Sequence, residues 1–261
     1  LYMKLRLDKY LSEHQLCRTR SLGQDAIDDG RVYVNDVVIK KNSYLVSEED
    51  QVKVLEASLG FASRAGHKLE GALESFQIKL EGRVIADIGA STGGFSDACL
   101  KRKAKLVYAI DVGHDQLLKE LIEDPRIINM EGINARYLTC DMFSILPDFA
   151  CIDVSFISLT QILNAVQSIL VGTKEMVVLI KPQFEAGKSE IGKNGIVKSK
   201  KTHINVLTKI DDFVHSIGLY VQHVEASSLA GRDGNLEYVM HISNVANQQV
   251  YNYRELVMRI K

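Results

Sequence analysis

From residue 83 onward, short apolar runs alternate with stretches of helical spacing, and this alternation restricts the possible folds more than any other feature of the chain. RVIADIG, LVYAIDV, RIINM, FACIDVSF and EMVVLIK are rich in Val and Ile, while DQLLKELIED and LTQILNAVQSIL between them carry apolar residues at helical spacing. Strands that are apolar on both sides belong in a parallel sheet covered on both faces. The chain then closes with LYVQHVEA and LEYVMHIS, which are too near each other for a crossover helix. That spacing predicts an antiparallel hairpin at the sheet edge. The expected fold class is α/β, a Rossmann-like domain whose parallel sheet ends in an antiparallel hairpin.

The first 55 residues have a different texture. Leu7, Tyr10 and Leu11 mark one short helix, and Leu22, Ala26 and Ile27 a second, which Ser21 is expected to cap and Gly30 to stop. RVYVNDVVI then reads as a strand running into an Asn35-Asp36 turn, and VKVLE as a closing strand. A chain of 261 residues, 46% apolar, can bury one large core or one medium core plus a small domain. The aperiodic EASLGFAS separates two units, giving a small α+β domain over 1–58 and the α/β domain over 59–261.

GASTGGFS, residues 89 to 96, joins the first α/β strand to its helix, the position where doubly wound sheets bind ligands. Against the phosphate-loop pattern, Gly89, Gly94 and Ser96 fall in register, but Phe95 replaces the lysine a triphosphate needs. The dinucleotide pattern fails as well, because the glycines are Gly89, Gly93 and Gly94. S-adenosylmethionine has no phosphate. It needs a close backbone approach and an acid for its ribose hydroxyls, and Asp111 ends the next strand 22 residues after Gly89. Asn134 in the following INAR segment is a further candidate for facing the cofactor.

With a net charge of −1, bulk electrostatics neither require nor exclude an anionic partner. The four cysteines form no C-x-x-C pair and lack histidines at metal spacing, so no metal is expected and a reducing cytoplasm suits them. There is no apolar run of about 18 residues, the length a membrane span requires.

SRAGHKLEGAL, DIGASTGGFSD, CIDVSFISL, LIKPQFEAGK and GNLEYV, in this order, resemble the TlyA family, often labelled hemolysin A, within the FtsJ-like ribose 2′-O-methyltransferases. RLDKYL and CRTRSLGQDAIDDGRVYVN resemble an S4 RNA-binding domain, although Asp25, Asp28 and Asp29 make it acidic for that role. The resemblance implies a cytoplasmic enzyme that uses S-adenosylmethionine to methylate RNA, with ribosomal RNA or ribosomal subunits as partner. It implies a catalytic tetrad of Lys68, Asp153, Lys181 and Glu237, cofactor contacts from Asp87, Gly89, Ser91, Gly93, Gly94, Phe95, Asp111 and Asn134, and RNA contacts from Arg6, Arg18, Arg20 and Arg64.

The residues are compatible with that chemistry. Asp153 and Lys181 each end an apolar strand, and Glu237 stands where the last strand begins. A ribose hydroxyl is a poor nucleophile, so its proton must be removed or strongly polarised as it attacks. Lys181 is the expected general base or hydroxyl activator, Asp153 and Glu237 orient the lysine ammonium groups and the acceptor, and Lys68 holds the ribose or its phosphate. Methylation of an exocyclic amine favours a proline-aromatic motif, where this chain has DVSF. Methylation at cytosine carbon five needs a nucleophilic cysteine, and Cys151 lies inside a strand as packing. A non-catalytic RNA-binding protein and a membrane-active hemolysin are the competing classes. The lysine-rich stretch 188–201 is a candidate for touching the substrate.

Overall fold

The computed structural model describes residues 4–17, 19–55, 61–192, 195–231 and 234–260. In the amino-terminal unit, β1 (Leu5–Arg6) leads into α1 (Leu7–Glu13) and α2 (Arg20–Asp28), followed by β2 (Val32–Val34), β3 (Val37–Val38), β4 (Leu45–Val46) and β5 (Val52–Val54). Asn35 and Asp36 both have positive φ, 51° and 63°, which is the backbone a two-residue hairpin needs between β2 and β3. Thr19, rather than the expected Ser21, caps α2, its hydroxyl accepting from Leu22 N–H at 3.2 Å. Gly30, at φ 70°, follows the helix end as expected. Leu7, Leu11, Ile27, Val32 and Val46 close a small core of their own.

The second unit opens with α3 (Arg64–Ser75) and then alternates: β6 (Val84–Ile88), α4 (Gly94–Lys101), β7 (Leu106–Asp111), α5 (Lys119–Ile122), β8 (Ile127–Glu131), β9 (Phe149–Ile152), α6 (Leu163–Ile169), β10 (Glu175–Ile180) and α7 (Pro182–Glu185). It ends with α8 (Lys200–Ser216), β11 (Tyr220–Ala226), β12 (Tyr238–Ser243) and α9 (Tyr253–Arg259). Among the described residues one seven-stranded sheet runs in the order β11-β12-β10-β9-β6-β7-β8. The five strands β6 to β10 are parallel, and β12 lies antiparallel between β10 and β11. This is the Rossmann-like sheet with terminal hairpin that the strand spacing predicts.

Period-two alternation divides the strands between two cores. Val84, Ala86 and Ile88 face α6 and α8, where Leu163, Val166, Leu207 and Ile210 pack on them. Ile85, Val107 and Cys151 face the other side, against Leu69 and Leu73 of α3 and Ala98 and Cys99 of α4. The parallel strands therefore share one carboxyl edge, and their loops open there. The domain boundary expected at 58/59 falls outside the described residues, within 56–60.

Candidate active site at the carboxyl edge of the sheet

A cleft of about 950 Å³ opens along that edge. One half is built by the glycine loop after β6 and the end of β7. Gly89, at φ 84°, admits no side chain, because a Cβ there would stand 2.4 Å from the Asp153 carbonyl oxygen. Asp111 projects from the end of β7. Its Oδ2 accepts from Ser91 N–H at 2.8 Å and its Oδ1 from Gly113 N–H at 2.7 Å. Each oxygen keeps acceptor capacity for a further donor. Val112, 68% exposed, and Ile133 add apolar wall beside it. Asn134 also lines this half while its side chain caps a short 3-10 turn through Arg136 N–H.

The expected cofactor residues do not all reach the cleft. Gly89, Ser91, Phe95, Asp111 and Asn134 line it, whereas Asp87, Gly93 and Gly94 stand behind the wall. Gly93 and Gly94 are packing positions: a Cβ would stand 2.1 Å from Leu121 Cδ1 and 2.2 Å from Ser63 Oγ respectively. Asp87 lies in mid-strand, fully buried, with its Oδ2 accepting from the Ser96 hydroxyl at 2.6 Å. Burial pushes its carboxyl up to about 7 against the Ser96 hydrogen bond, and the negative Asp153 and Asp111 add to the rise. Glu131 is a residue that sequence reasoning missed. Although burial opposes ionisation, N–H groups of Leu117, Gln116 and Asp115 hold its carboxyl below the ordinary value and fix the loop beside Asp111.

The other half of the cleft carries two lysine–carboxylate pairs. Lys181, just after β10, sits 2.5 Å from Asp153 Oδ1 and donates to Ser155 Oγ at 3.1 Å. Lys68 of α3 meets Glu237 Oε2 at 2.6 Å, and Gln183 donates to Glu237 Oε1 at 3.4 Å. All four tetrad residues line the same cleft. Lys68, expected to grip the ribose or phosphate, is instead nearly buried and paired to Glu237. Phe156 is a second missed residue. It holds φ 64°, a strained conformation for a bulky side chain, yet its ring is 90% exposed at the cleft and 4.8 Å from that of Phe184.

The expected RNA-contacting arginines divide. Arg6 and Arg20 come together on one carboxylate, that of Asp8, with Nε–Oδ1 3.0 Å and Nη2–Oδ2 2.8 Å respectively, and both stay about half exposed. Arg64 lies 3.6 Å from Asp29 and donates to the Ala230 carbonyl. Arg18 lies outside the described residues. Asp25 and Asp28 of α2 line the cleft, so the face the small domain turns to it includes acid. The lysine-rich stretch is only partly a loop: Lys188 opens a 3-10 turn, Lys200 and Lys201 begin α8, and Lys200 donates to Met258 and Ile260 carbonyls. Lys193 lies outside the described residues.

The glycine-loop half fits S-adenosylmethionine. It offers a bare backbone cradle at Gly89, an acid with acceptor capacity at Asp111 and apolar wall at Val112 and Ile133, while Phe95, in the place of a phosphate-binding lysine, is 97% withdrawn from solvent.

Comparison with known proteins gives the same assignment. Residues 61–244 match the family model described as FtsJ-like methyltransferase, and residues 5–52 match that of the S4 domain. The chain is 36% identical over 238 residues to the 16S/23S rRNA (cytidine-2′-O)-methyltransferase TlyA of Mycobacterium tuberculosis, covering 91% of this chain and 89% of that protein. It is 37% identical to hemolysin A of Brachyspira hyodysenteriae, covering 91% and 99%. A solved structure from Streptococcus thermophilus, carrying a hemolysin label, superposes with a TM-score of 0.78 at 38% identity over 99% of this chain and 96% of that one. With a cleft made for S-adenosylmethionine and both models matched in order, the chain belongs to the FtsJ-like methyltransferase family and carries an S4 domain at its amino end.

Proposed function

We propose that the protein methylates the 2′-hydroxyl of a ribose in RNA, with ribosomal RNA as the substrate class. The observation that carries this reading is the joint placement of the Lys181–Asp153 and Lys68–Glu237 pairs in the cleft that also holds the cofactor residues. The names of the mycobacterial and Campylobacter jejuni relatives, both rRNA (cytidine-2′-O)-methyltransferases, support the substrate class.

Bound S-adenosylmethionine supplies an electrophilic methyl group. The chain's own residues prepare the acceptor. Asp153 and Ser155 fix Lys181 Nζ from two sides, so its remaining bonding direction meets an incoming hydroxyl in one orientation. Nζ passes a proton to Asp153 Oδ1 and takes the hydroxyl proton in its place as the oxygen attacks. The Lys68–Glu237 pair braces the opposite wall and joins α3 to the start of β12. The exposed ring of Phe156 suits a base splayed from a single strand, since stacking on aromatics is how unpaired bases are held. Arg6, Arg20 and Arg64 are the side chains that would meet phosphate.

Incubation with labelled S-adenosylmethionine and purified ribosomal subunits, followed by nuclease digestion and mass spectrometry, tests the reading. The expected product is a nucleoside methylated on ribose oxygen. A methylated base with unmodified ribose overturns it. Among the described residues no helix is long and apolar enough to cross a membrane, so nothing there favours the hemolysin label of some relatives.

A further inference from the structure

The run KPQFE delivers Lys181 to the cleft, but its last residue has no part in the chemistry assigned above. Glu185 ends α7 with its side chain only 2% exposed. Its Oε1 accepts from Leu159 N–H at 2.7 Å and its Oε2 from the Ser158 hydroxyl at 2.6 Å. Lys209 of α8 lies 3.5 Å from Oε2 and donates to the Glu185 carbonyl at 3.1 Å, partly balancing the buried charge.

Ser158 and Leu159 open the 3-10 turn that follows segment 153–157, and this segment carries Asp153, Ser155 and the strained Phe156. Its start is fixed by Asp153 N–H donating to the Ile88 carbonyl at 2.9 Å. Its end is fixed by Glu185. One carboxylate therefore ties two strand ends together: it follows Lys181 by four residues in the chain and grips the far end of the Asp153 segment through two hydrogen bonds. The simplest alternative role is a cap for the 3-10 turn. That role would leave the turn's own stability affected and the placement of Asp153 against Lys181 unaffected.

We propose that Glu185 is a positioning residue for methyl transfer, holding the Asp153 segment against Lys181 and so setting the acceptor side of the cleft independently of the cofactor side. The proposal rests on the ribose-methylation reading. It is tested on the full chain with Glu185→Ala, Glu185→Gln and Ser158→Ala, using single-turnover transfer to ribosomal subunits, calorimetry with S-adenosylmethionine, and amide hydrogen exchange. Glu185→Ala is expected to lower the rate at saturating cofactor and RNA by about 10- to 100-fold, the range for misplaced reacting groups. Affinity for S-adenosylmethionine should hold within about twofold. Glu185→Gln can still accept from Leu159 and donate to Ser158, and should recover most of the rate. Exchange should rise across 153–161 and stay unchanged across 89–95.

Equal rates in Glu185→Ala and the wild type overturn the proposal, as does a parallel loss of cofactor affinity or a Glu185→Gln no better than Glu185→Ala. If Glu185→Ala does not fold, Ser158→Ala must still slow transfer by about threefold or more with cofactor affinity intact; a native rate there also overturns it. A wild-type chain that transfers no methyl to ribose refutes the ribose-methylation reading instead. In that event unchanged exchange at 153–161 in the variants separately refutes the role of Glu185.

Discussion

In the amino-terminal unit Asp8 gathers Arg6, Arg20 and Gln24 around one fully buried carboxylate, whereas in the cleft Asp153 pairs with Lys181, and Glu237 with Lys68 and Gln183. Both oxygens of Asp8 are saturated, with Lys9 N–H adding to the side-chain donors. Burial alone would raise its pKa, but Arg6, Gln24 and Arg20 hold it well below the usual carboxylate range. Lys181, by contrast, has three donor positions and meets Asp153 and Ser155 among the described residues. Oppositely charged side chains thus make a closed knot around Asp8 in one domain and an open, addressable Lys181–Asp153 pair in the other. What distinguishes a structural ion pair from a candidate catalytic one here is unused bonding capacity facing a cleft, rather than burial or distance.

The largest effect that could break this contrast is on turnover. Lys181→Ala or Asp153→Ala should lower single-turnover methyl transfer by about 10²- to 10⁴-fold, the usual contribution of proton transfer, with cofactor affinity and melting temperature close to native. Near-native transfer in Lys181→Ala would make the cleft pair as structural as the Asp8 knot.

A smaller effect is expected from Asp8→Ala, and in stability rather than rate. The two arginines are about half exposed and can rehydrate, so the loss should be about 2–3 kcal/mol, as for hydrogen bonds to a charged group, read by urea unfolding. The sign with pH follows from the depressed pKa. The carboxylate's contribution is complete above its unfolded value of about 3.9 and disappears as pH falls from there toward the folded value. The gap between wild type and Asp8→Ala should therefore narrow below about pH 4. A gap constant down to pH 2 would show that the knot contributes through packing instead.

The smallest effect sharpens the comparison at the knot's outer edge. Arg20 turns Nε and Nη2 to Asp8 and remains 54% exposed, so part of its fork can meet phosphate. Arg20→Ala should flatten the log-log salt dependence of RNA binding by about 0.7 to 0.9, one phosphate contact. An unchanged slope would confine the arginine to its structural task.

The parallel strands were readable because burial on both faces writes itself as unbroken Val and Ile runs, and the gathering of Lys68, Asp153, Lys181 and Glu237 in one cleft was expected from the family resemblance, with Asp153, Lys181 and Glu237 next to those runs. Helix α3 was harder to see. Gly66 and Gly71 interrupt its Leu69-Ala72-Leu73 stripe and lower its helix propensity, yet both are there for close approach, Gly66 to the Gly94 carbonyl and Gly71 to Ser228. Phe156 was unreadable because a positive φ is set by the flanking contacts and leaves no mark on an aromatic side chain. Asp87 shows the opposite error: its place in the glycine motif suggested a ligand contact, while the strand's alternation turned it inward to Ser96. Arg6 and Arg20 were expected to contact RNA, but their attachment to Asp8 depends on how β1, α1 and α2 pack, which the sequence pattern does not reveal.

The bare Cα of Gly89 rests against the backbone of Asp153, with room for not even one methyl group between them. The proposed seat for the cofactor and the carboxylate paired with Lys181 are consequently neighbours by contact, across two adjacent parallel strands. A shift of either strand end at this junction presses on the other, whereas loosening of the far end of the Asp153 segment, toward Ser158, leaves the junction pinned by the Asp153 N–H bond to the Ile88 carbonyl. A lineage of such proteins can exchange its RNA-facing surfaces freely, but it inherits this junction whole, and a designer seeking to accept a bulkier sulfonium donor has to move both strand ends together.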